Sequence, residues 1–370
     1  MSLDLRTRLT ERLGCRYPIV QTAMGWVADP RLVAATGNAG GFGFLAGATI
    51  EPAHMEAAIL ETKRLTAQPF GVNFHMYQPN AAEIVELVVR HGVRAVSYSR
   101  SPGKQMIARL KDAGVICMPT VGALKHAQKA VEMGADIVTV QGGEGGGHTG
   151  SVPTALLLAQ VTAALRVPVV AAGGLHDGAG LVAALAQGAE GIAMGTRFLM
   201  TRDSPVPAAT LQRYLAVRDP AAVIASRAID GLPQRMIRNE LLDALEGAGA
   251  LRRLRLALGS ALAYRRLSGI GFGQMFQALR QRGELSLAQA LMAANAPMVI
   301  QKAMVDGLPA QGVLPAGQVA ALLDALPSCA ELIDSIVAQA EARLVELARR
   351  VAPQPPQDNA QESRNAAVSR

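Results

Sequence analysis

The chain has 370 residues, 50% of them hydrophobic, with a formal net charge of +7. That length is long for one ordinary domain and normal for an α/β barrel with an insertion, and no run approaches the roughly 18 uninterrupted apolar residues of a membrane span. The first residues lack the apolar core of a secretory signal, the three cysteines Cys15, Cys117 and Cys329 have no metal-ligand spacing, and aromatics at 4% are too few for a nucleic-acid stripe. We therefore expect a soluble cytoplasmic protein with reduced thiols, no nucleic-acid partner and no membrane contact.

Taken in order, β-branched runs at 18–21, 41–46, 70–74, 93–99, 115–119, 136–140, 168–172 and 191–195 alternate with helix-like stretches. Among the latter, 52–66, 81–91, 104–113 and 124–133 carry apolar residues at three- and four-residue spacing. Eight near-continuous apolar strands predict a parallel sheet covered on both faces, closed as a (β/α)8 TIM barrel over 1–207. Beyond it, 208–294 reads as helices without strand runs, an inserted second domain over the barrel mouth. Twelve arginines, no lysine and six acids fall between positions 213 and 284, so this stretch supplies +6 of the charge. Arginine alone suits forked hydrogen bonds to a small phosphorylated ligand; a solvated helical face is the alternative. Residues 295–350 are expected to return to the barrel as helices, one of them starting at Gly317-Gln318, and the polar tail 351–370 to be disordered.

In such a barrel, chemistry gathers where the strands end. The residues there are Met24 and Gly25 after the first run, Asn73 in the third, Thr120 after the fifth, and Gln141 to His148 after the sixth. Gly173-Gly174 follow the seventh and Met194-Gly195-Thr196 the eighth. The sixth run opens into QGGEGGGHTG, whose six glycines suggest backbone that approaches a ligand closely, with His148 as its one imidazole. Glycines after the last two strands are what a barrel phosphate site requires, unless they are plain turn residues. A Rossmann fingerprint, a Walker loop, a G-x-S-x-G elbow and H-x-H or H-E-x-x-H spacing are all missing, which leaves no metal site to expect. Asp177 in GGLHDG is expected to cap the next helix.

YPIVQTAMGWV, FGVNF, VQGGEGGGHTG, VVAAGGLHDGAGL and AMGTRFLMTRDSPVP together resemble the flavin-binding barrel of the nitronate monooxygenase family, formerly the 2-nitropropane dioxygenase family. The stretches AMGWVADPRLVAATGNAGGFG, QGGEGGGHTG, LMAANAP and GQVAALLDALPSCAELI are most similar to a branch acting on CoA thioesters in bacterial degradation of steroid C and D rings. The resemblance implies FMN, held against Met24 and Gly25, with Asn73 and Gln141 near its ring, Gly147 in the loop beside it, and Gly173, Gly174, Met194, Gly195 and Thr196 about its phosphate. His148 falls where the family keeps its catalytic histidine. Relatives often have a lysine after the fifth strand, where this chain offers Thr120.

The expected function is FMN-dependent oxidoreduction of a carbon–carbon bond next to a CoA thioester in a ring intermediate, with neutral His148 moving the proton and Arg235 and Arg238 binding the CoA phosphates. NAD or NADP would reach the flavin through the same mouth as hydride donor or acceptor, and a homodimer is allowed for. Two rivals stay open: monooxygenation of small alkyl nitronates with O₂, and a flavin-binding barrel without catalysis. A loop histidine that only hydrogen-bonds the flavin or the backbone is the alternative for His148.

Overall fold

The computed structural model describes residues 5–75, 80–99, 102–247 and 295–351. Most of the expected arginine-rich insertion (248–294) and the tail from 352 lie outside the described residues. The strands in chain order are β1 Ile19–Gln21, β2 Phe42–Leu45, β3 Gly71–His75, β4 Ala95–Ser99, β5 Ile116–Cys117, β6 Thr120–Val121, β7 Val138–Gln141, β8 Gly147–His148, β9 Val169–Ala172 and β10 Gly191–Met194. All but β8 form one parallel sheet in the order β5-β4-β3-β2-β1-β10-β9-β7-β6.

β5 and β6 are consecutive pieces of one extended run, broken at Pro119, which has no N–H to give a ladder. The two ends of that strand order are thus the same segment, and the sheet closes. Met118 N donates to Val96 O at 2.9 Å on one side and Thr139 N to Pro119 O at 2.8 Å on the other. The barrel expected from the eight apolar runs is the barrel observed.

Helices α1 Arg8–Leu13, α2 Pro30–Asn38, α3 Met55–Leu65, α4 Ala81–Arg90, α5 Lys104–Asp112, α6 Leu124–Glu132, α7 Thr154–Ala164 and α8 Gly178–Ala186 accompany the strands. Side chains alternate across a strand. Val72, Phe74, Val96, Tyr98 and Cys117 pack outward with Met55, Ile59, Ile84 and Leu110 of the surrounding helices. Val20, Phe42, Phe44, Ala95, Ile116, Ile137, Val170 and Ala193 point inward, onto Leu9 and Leu13 of α1. That short helix therefore plugs the N-terminal end of the barrel, and whatever enters must do so at the C-terminal end.

After α9 Thr196–Leu199 and α10 Ala208–Leu215, the expectation of helices without strands fails. β11 Val223–Ser226 pairs antiparallel with β12 Gln234–Ile237, which pairs in turn with β8, in the registers Gln234↔His148 and Arg235↔Gly147. VIAS and QRMI are too short and too polar to read as apolar strands; the edge offered by β8 decides their conformation. Past α11 Glu240–Glu246 and α12 Asn295–Met304, residues Gln318–Leu322 form a 3-10 turn rather than the start of the returning helix. The long helix α13 Cys329–Val351 begins after Ser328, whose Oγ accepts from Glu331 N at 3.2 Å while Ser328 N donates to Glu331 Oε2 at 2.8 Å. It packs on α8, where Gly178 N donates to Gln339 Oε1 at 3.1 Å. Among the described residues no helix is long and apolar enough to cross a membrane.

Candidate active site

Carrying the alternation upward, the interior lining turns from apolar to polar at the C-terminal end. Asn73 and His75 continue the inward register of Gly71, Ser97 and Ser99 that of Ala95, Thr120 that of Ile116, and Gln141 that of Ile137. Asn73 Nδ2 donates to both the carbonyl and the hydroxyl oxygen of Ser97 at 3.1 Å, and one rung higher Ser99 Oγ lies 3.3 Å from His75 Nδ1. Thr120 stands half-buried in register with Thr139. Thr22 and Met24, after β1, flank Gly195, after β10: a Cβ on that glycine would lie 3.1 Å from Thr22 Oγ1 and 3.5 Å from Met24 Sδ. Met194 itself is buried and faces the helical layer.

The glycine loop is built largely by its own neighbours. Gln141 Nε2 donates to the carbonyls of Gly146 at 3.3 Å and His148 at 3.1 Å, which folds the loop back onto its strand. The Glu144 carboxylate is turned away onto the start of α7, accepting from Thr154 N at 2.9 Å and Thr154 Oγ1 at 2.8 Å. A Cβ at Gly142 would sit 2.2 Å from Thr154 Oγ1, and one at Gly146 2.6 Å from the carbonyl carbon of Ala316. At these two positions it is packed protein, not a ligand, that excludes a side chain. The returning C-terminal segment completes the wall: Gln318 N donates to Glu144 O at 3.0 Å and Gly317 N to Thr196 Oγ1 at 2.9 Å.

A different pattern holds at the two last strand ends. Gly173 (φ +102°) and Gly174 (φ +72°) occupy the left-handed region. The amides of Gly173, Gly174, Gly195 and Thr196 donate to no protein acceptor among the described residues. Thr196 Oγ1 already accepts a bond, so its own proton is free to be given. Unspent donors on adjacent strand ends fit the phosphate of a flavin mononucleotide.

His148 is held by a partner the sequence did not single out. Its Nε2 lies 2.7 Å from Oδ2 of Asp230, whose side chain is 5% exposed against 57% for the imidazole. Gln234 Nε2 donates to the same oxygen at 2.6 Å and Leu232 N to Oδ1 at 3.0 Å. The β8–β12 pairing sets this spacing, since Gln234 is the residue opposite His148. In the sequence, Asp230 opens Asp-Gly-Leu-Pro, which reads only as a turn.

The two expected CoA ligands differ in placement. Arg235 is half-buried, with Nε donating to Gly143 O at 2.7 Å and Nη1 to Val223 O at 2.9 Å. Burial holds its guanidinium below the ordinary arginine value, with Glu144 opposing. Arg238 is exposed and paired with Asp243 at 2.7 Å. Asp177 caps α8 as expected, accepting from Gly180 N at 2.8 Å. Cys117 and Cys329 are fully buried and Cys15 partly so; burial pushes the thiols of Cys15 and Cys329 up to about 12 and that of Cys117 to about 11. None is placed to act as a nucleophile at neutral pH.

The family described as nitronate monooxygenase matches residues 6–339. A Mycobacterium tuberculosis protein described as (3aS,4S,5R,7aS)-5-hydroxy-7a-methyl-1-oxo-octahydro-1H-indene-4-carboxyl-CoA dehydrogenase is 50% identical over 348 residues, covering 92% of this chain and 98% of its own. A Rhodococcus jostii protein of the same description is 48% identical over 343 residues, covering 92% and 97%. Among solved structures, FabK from Thermotoga maritima superposes with a TM-score of 0.76 at 28% identity, covering 94% of this chain and 99% of its own.

Proposed function

This chain belongs to the nitronate monooxygenase family of flavin-dependent oxidoreductases, and from that premise we propose that it is an FMN-dependent dehydrogenase of indane-type ring CoA thioesters from steroid breakdown. The observation that carries the reading is identity of about half the residues, over nearly the whole of both chains, with a relative described as an indene-carboxyl-CoA dehydrogenase. The site fits the chemistry. FMN would be held by the amides of Gly173, Gly174, Gly195 and Thr196 at its phosphate, with Met24, Gly25, Asn73, Thr120, Gln141 and Gly147 around the rest, and when bound it supplies a two-electron acceptor or donor. The protein's own part is to orient the thioester, exclude water with the packed loop, and move one proton at His148. A thioester acidifies the neighbouring C–H, so a neutral imidazole beside it can take that proton while the adjacent carbon gives up hydride, leaving a C=C bond; reduction runs the same steps backward.

Arg238, exposed just past β12, is the better placed of the two arginines for a CoA phosphate, since Arg235 is committed to backbone carbonyls. NAD or NADP is the class of partner that would exchange electrons with the flavin, and reduced thiols fit a cytoplasmic location. The test is the visible spectrum of the anaerobic protein as a ring CoA thioester, and then an alkyl nitronate, is added. Bleaching by the thioester is the expected result. Bleaching by the nitronate alone would overturn the substrate assignment, and a colourless protein that takes up no FMN would overturn the cofactor site.

A further inference from the structure

We infer that Asp230 is the positioning residue that fixes His148 in its Nε2–H tautomer and thereby makes Nδ1 the atom that receives the substrate proton. This rests on the reading of His148 as the proton-transfer residue. A carboxylate offers only lone pairs, so the groups that surround that of Asp230 must all donate. Leu232 N does so at Oδ1, and Gln234 Nε2 at Oδ2, which leaves His148 Nε2 as the third donor, at 2.7 Å. A neutral imidazole has one N–H and one lone pair. With the proton spent on Asp230, the lone pair is on Nδ1, on the far side of the ring from the buried carboxylate.

The other charged groups beside the loop are turned elsewhere. Glu144 faces Thr154, and Arg235 faces the carbonyls of Gly143 and Val223. Among the described residues Asp230 is the charged group in hydrogen-bond contact with the imidazole. Because its position comes from the β8–β12 register, the small sheet contributes to the chemistry as well as covering the mouth. In the dehydrogenating direction Nδ1 would take the α-carbon proton, whose electron pair becomes the new C=C bond, and bound FMN would supply the two-electron acceptor for the hydride lost from the β-carbon. The imidazolium, stabilised by Asp230, then releases its proton to solvent.

Asp230→Asn is the informative variant. The fixed amide of Leu232 needs an acceptor, so the asparagine oxygen should take the Oδ1 place, and its NH₂ group should then face His148 Nε2. That forces the proton onto Nδ1, the wrong tautomer. Expected in the flavin-loaded full chain is a nitrogen NMR spectrum with Nε2–H at His148 in the wild type and Nδ1–H in Asp230→Asn. Turnover should fall about 10²- to 10⁴-fold with KM nearly unchanged, and Asp230→Glu should recover part of it. The wild-type spectrum needs neither substrate nor variant: Nδ1–H there would overturn the proposal even if Asp230→Asn fails to fold. So would an Asp230→Asn protein of normal turnover. If the wild type shows Nε2–H while no CoA thioester is oxidised, the positioning role stands and the substrate reading fails.

Discussion

The eight-stranded barrel and the three-stranded sheet β11-β12-β8 stand side by side in this molecule and are specified in different ways. Each barrel strand carries its own instructions, a β-branched run between turn residues, and is buried on both faces, outward by the helices and inward by the other strands and α1. The small sheet carries almost none. Its strands exist because the glycine loop presents an edge, and its reward is polar: Gln234, Asp230 and His148 in one hydrogen-bonded row. The barrel supplies the strand ends and their free amides; the small sheet aims the imidazole. On the proposed reading, the cofactor site belongs to the barrel while the proton-moving imidazole is set by a segment outside it.

The sharpest way to break that division is Gly142→Ala, where the loop leaves the barrel. Its Cβ would fall 2.2 Å from Thr154 Oγ1 and 2.4 Å from Thr154 backbone atoms. Backbone must move, at a cost of about 3 kcal/mol, and we expect flavin to be lost on gel filtration together with a lowered Tm. A yellow protein of normal Tm would show that the loop tolerates what its packing forbids. Next in size, His148→Ala should keep the flavin spectrum yet lose about 10²- to 10⁴-fold in turnover; full turnover would remove the imidazole from the chemistry and reduce the small sheet to cover.

Arg235 and Arg238 then sharpen the comparison within the small sheet. Arg235→Ala removes two charge-assisted bonds that tie β12 to the loop and to β11, and should destabilise by about 1.5 to 3 kcal/mol in urea unfolding. Arg238→Ala loses one exposed pair with Asp243 and should change stability by less than about 0.5 kcal/mol. Equal effects would mean that the inward turn of Arg235 carries no structural weight. A last effect is confined to the barrel wall at high pH. The Cys117 thiol, ordinarily 9.0, is pushed up to about 11 in the fold. The unfolded chain therefore releases that proton first, so the stability it contributes is complete below pH 9 and is lost as pH rises towards 11. Urea midpoints followed across that window should fall less steeply in Cys117→Ala than in the wild type.

Much of the barrel side of the site was legible. The strand runs, the glycines at two adjacent strand ends and a single histidine in a glycine loop are local signals, readable because strand period and left-handed φ are properties of a few consecutive residues. The purpose of the loop glycines was only half legible: a lack of side chains announces close approach, but not that Thr154 and Ala316 are what approaches. Asp230 was not legible, because Asp-Gly-Leu-Pro has the composition of any turn and its partner lies 82 residues away.

The sequence by itself determined the (β/α)8 framework and the polar and glycine residues that gather at the C-terminal rim of its strands, since each follows from local pattern. Only the tertiary structure decided that Arg235 turns inward, that β11 and β12 are strands, and that His148 has a buried carboxylate behind it. Each of these depends on which edge or carbonyl a distant segment meets, and a hydrogen bond across such a separation leaves no periodicity in the chain.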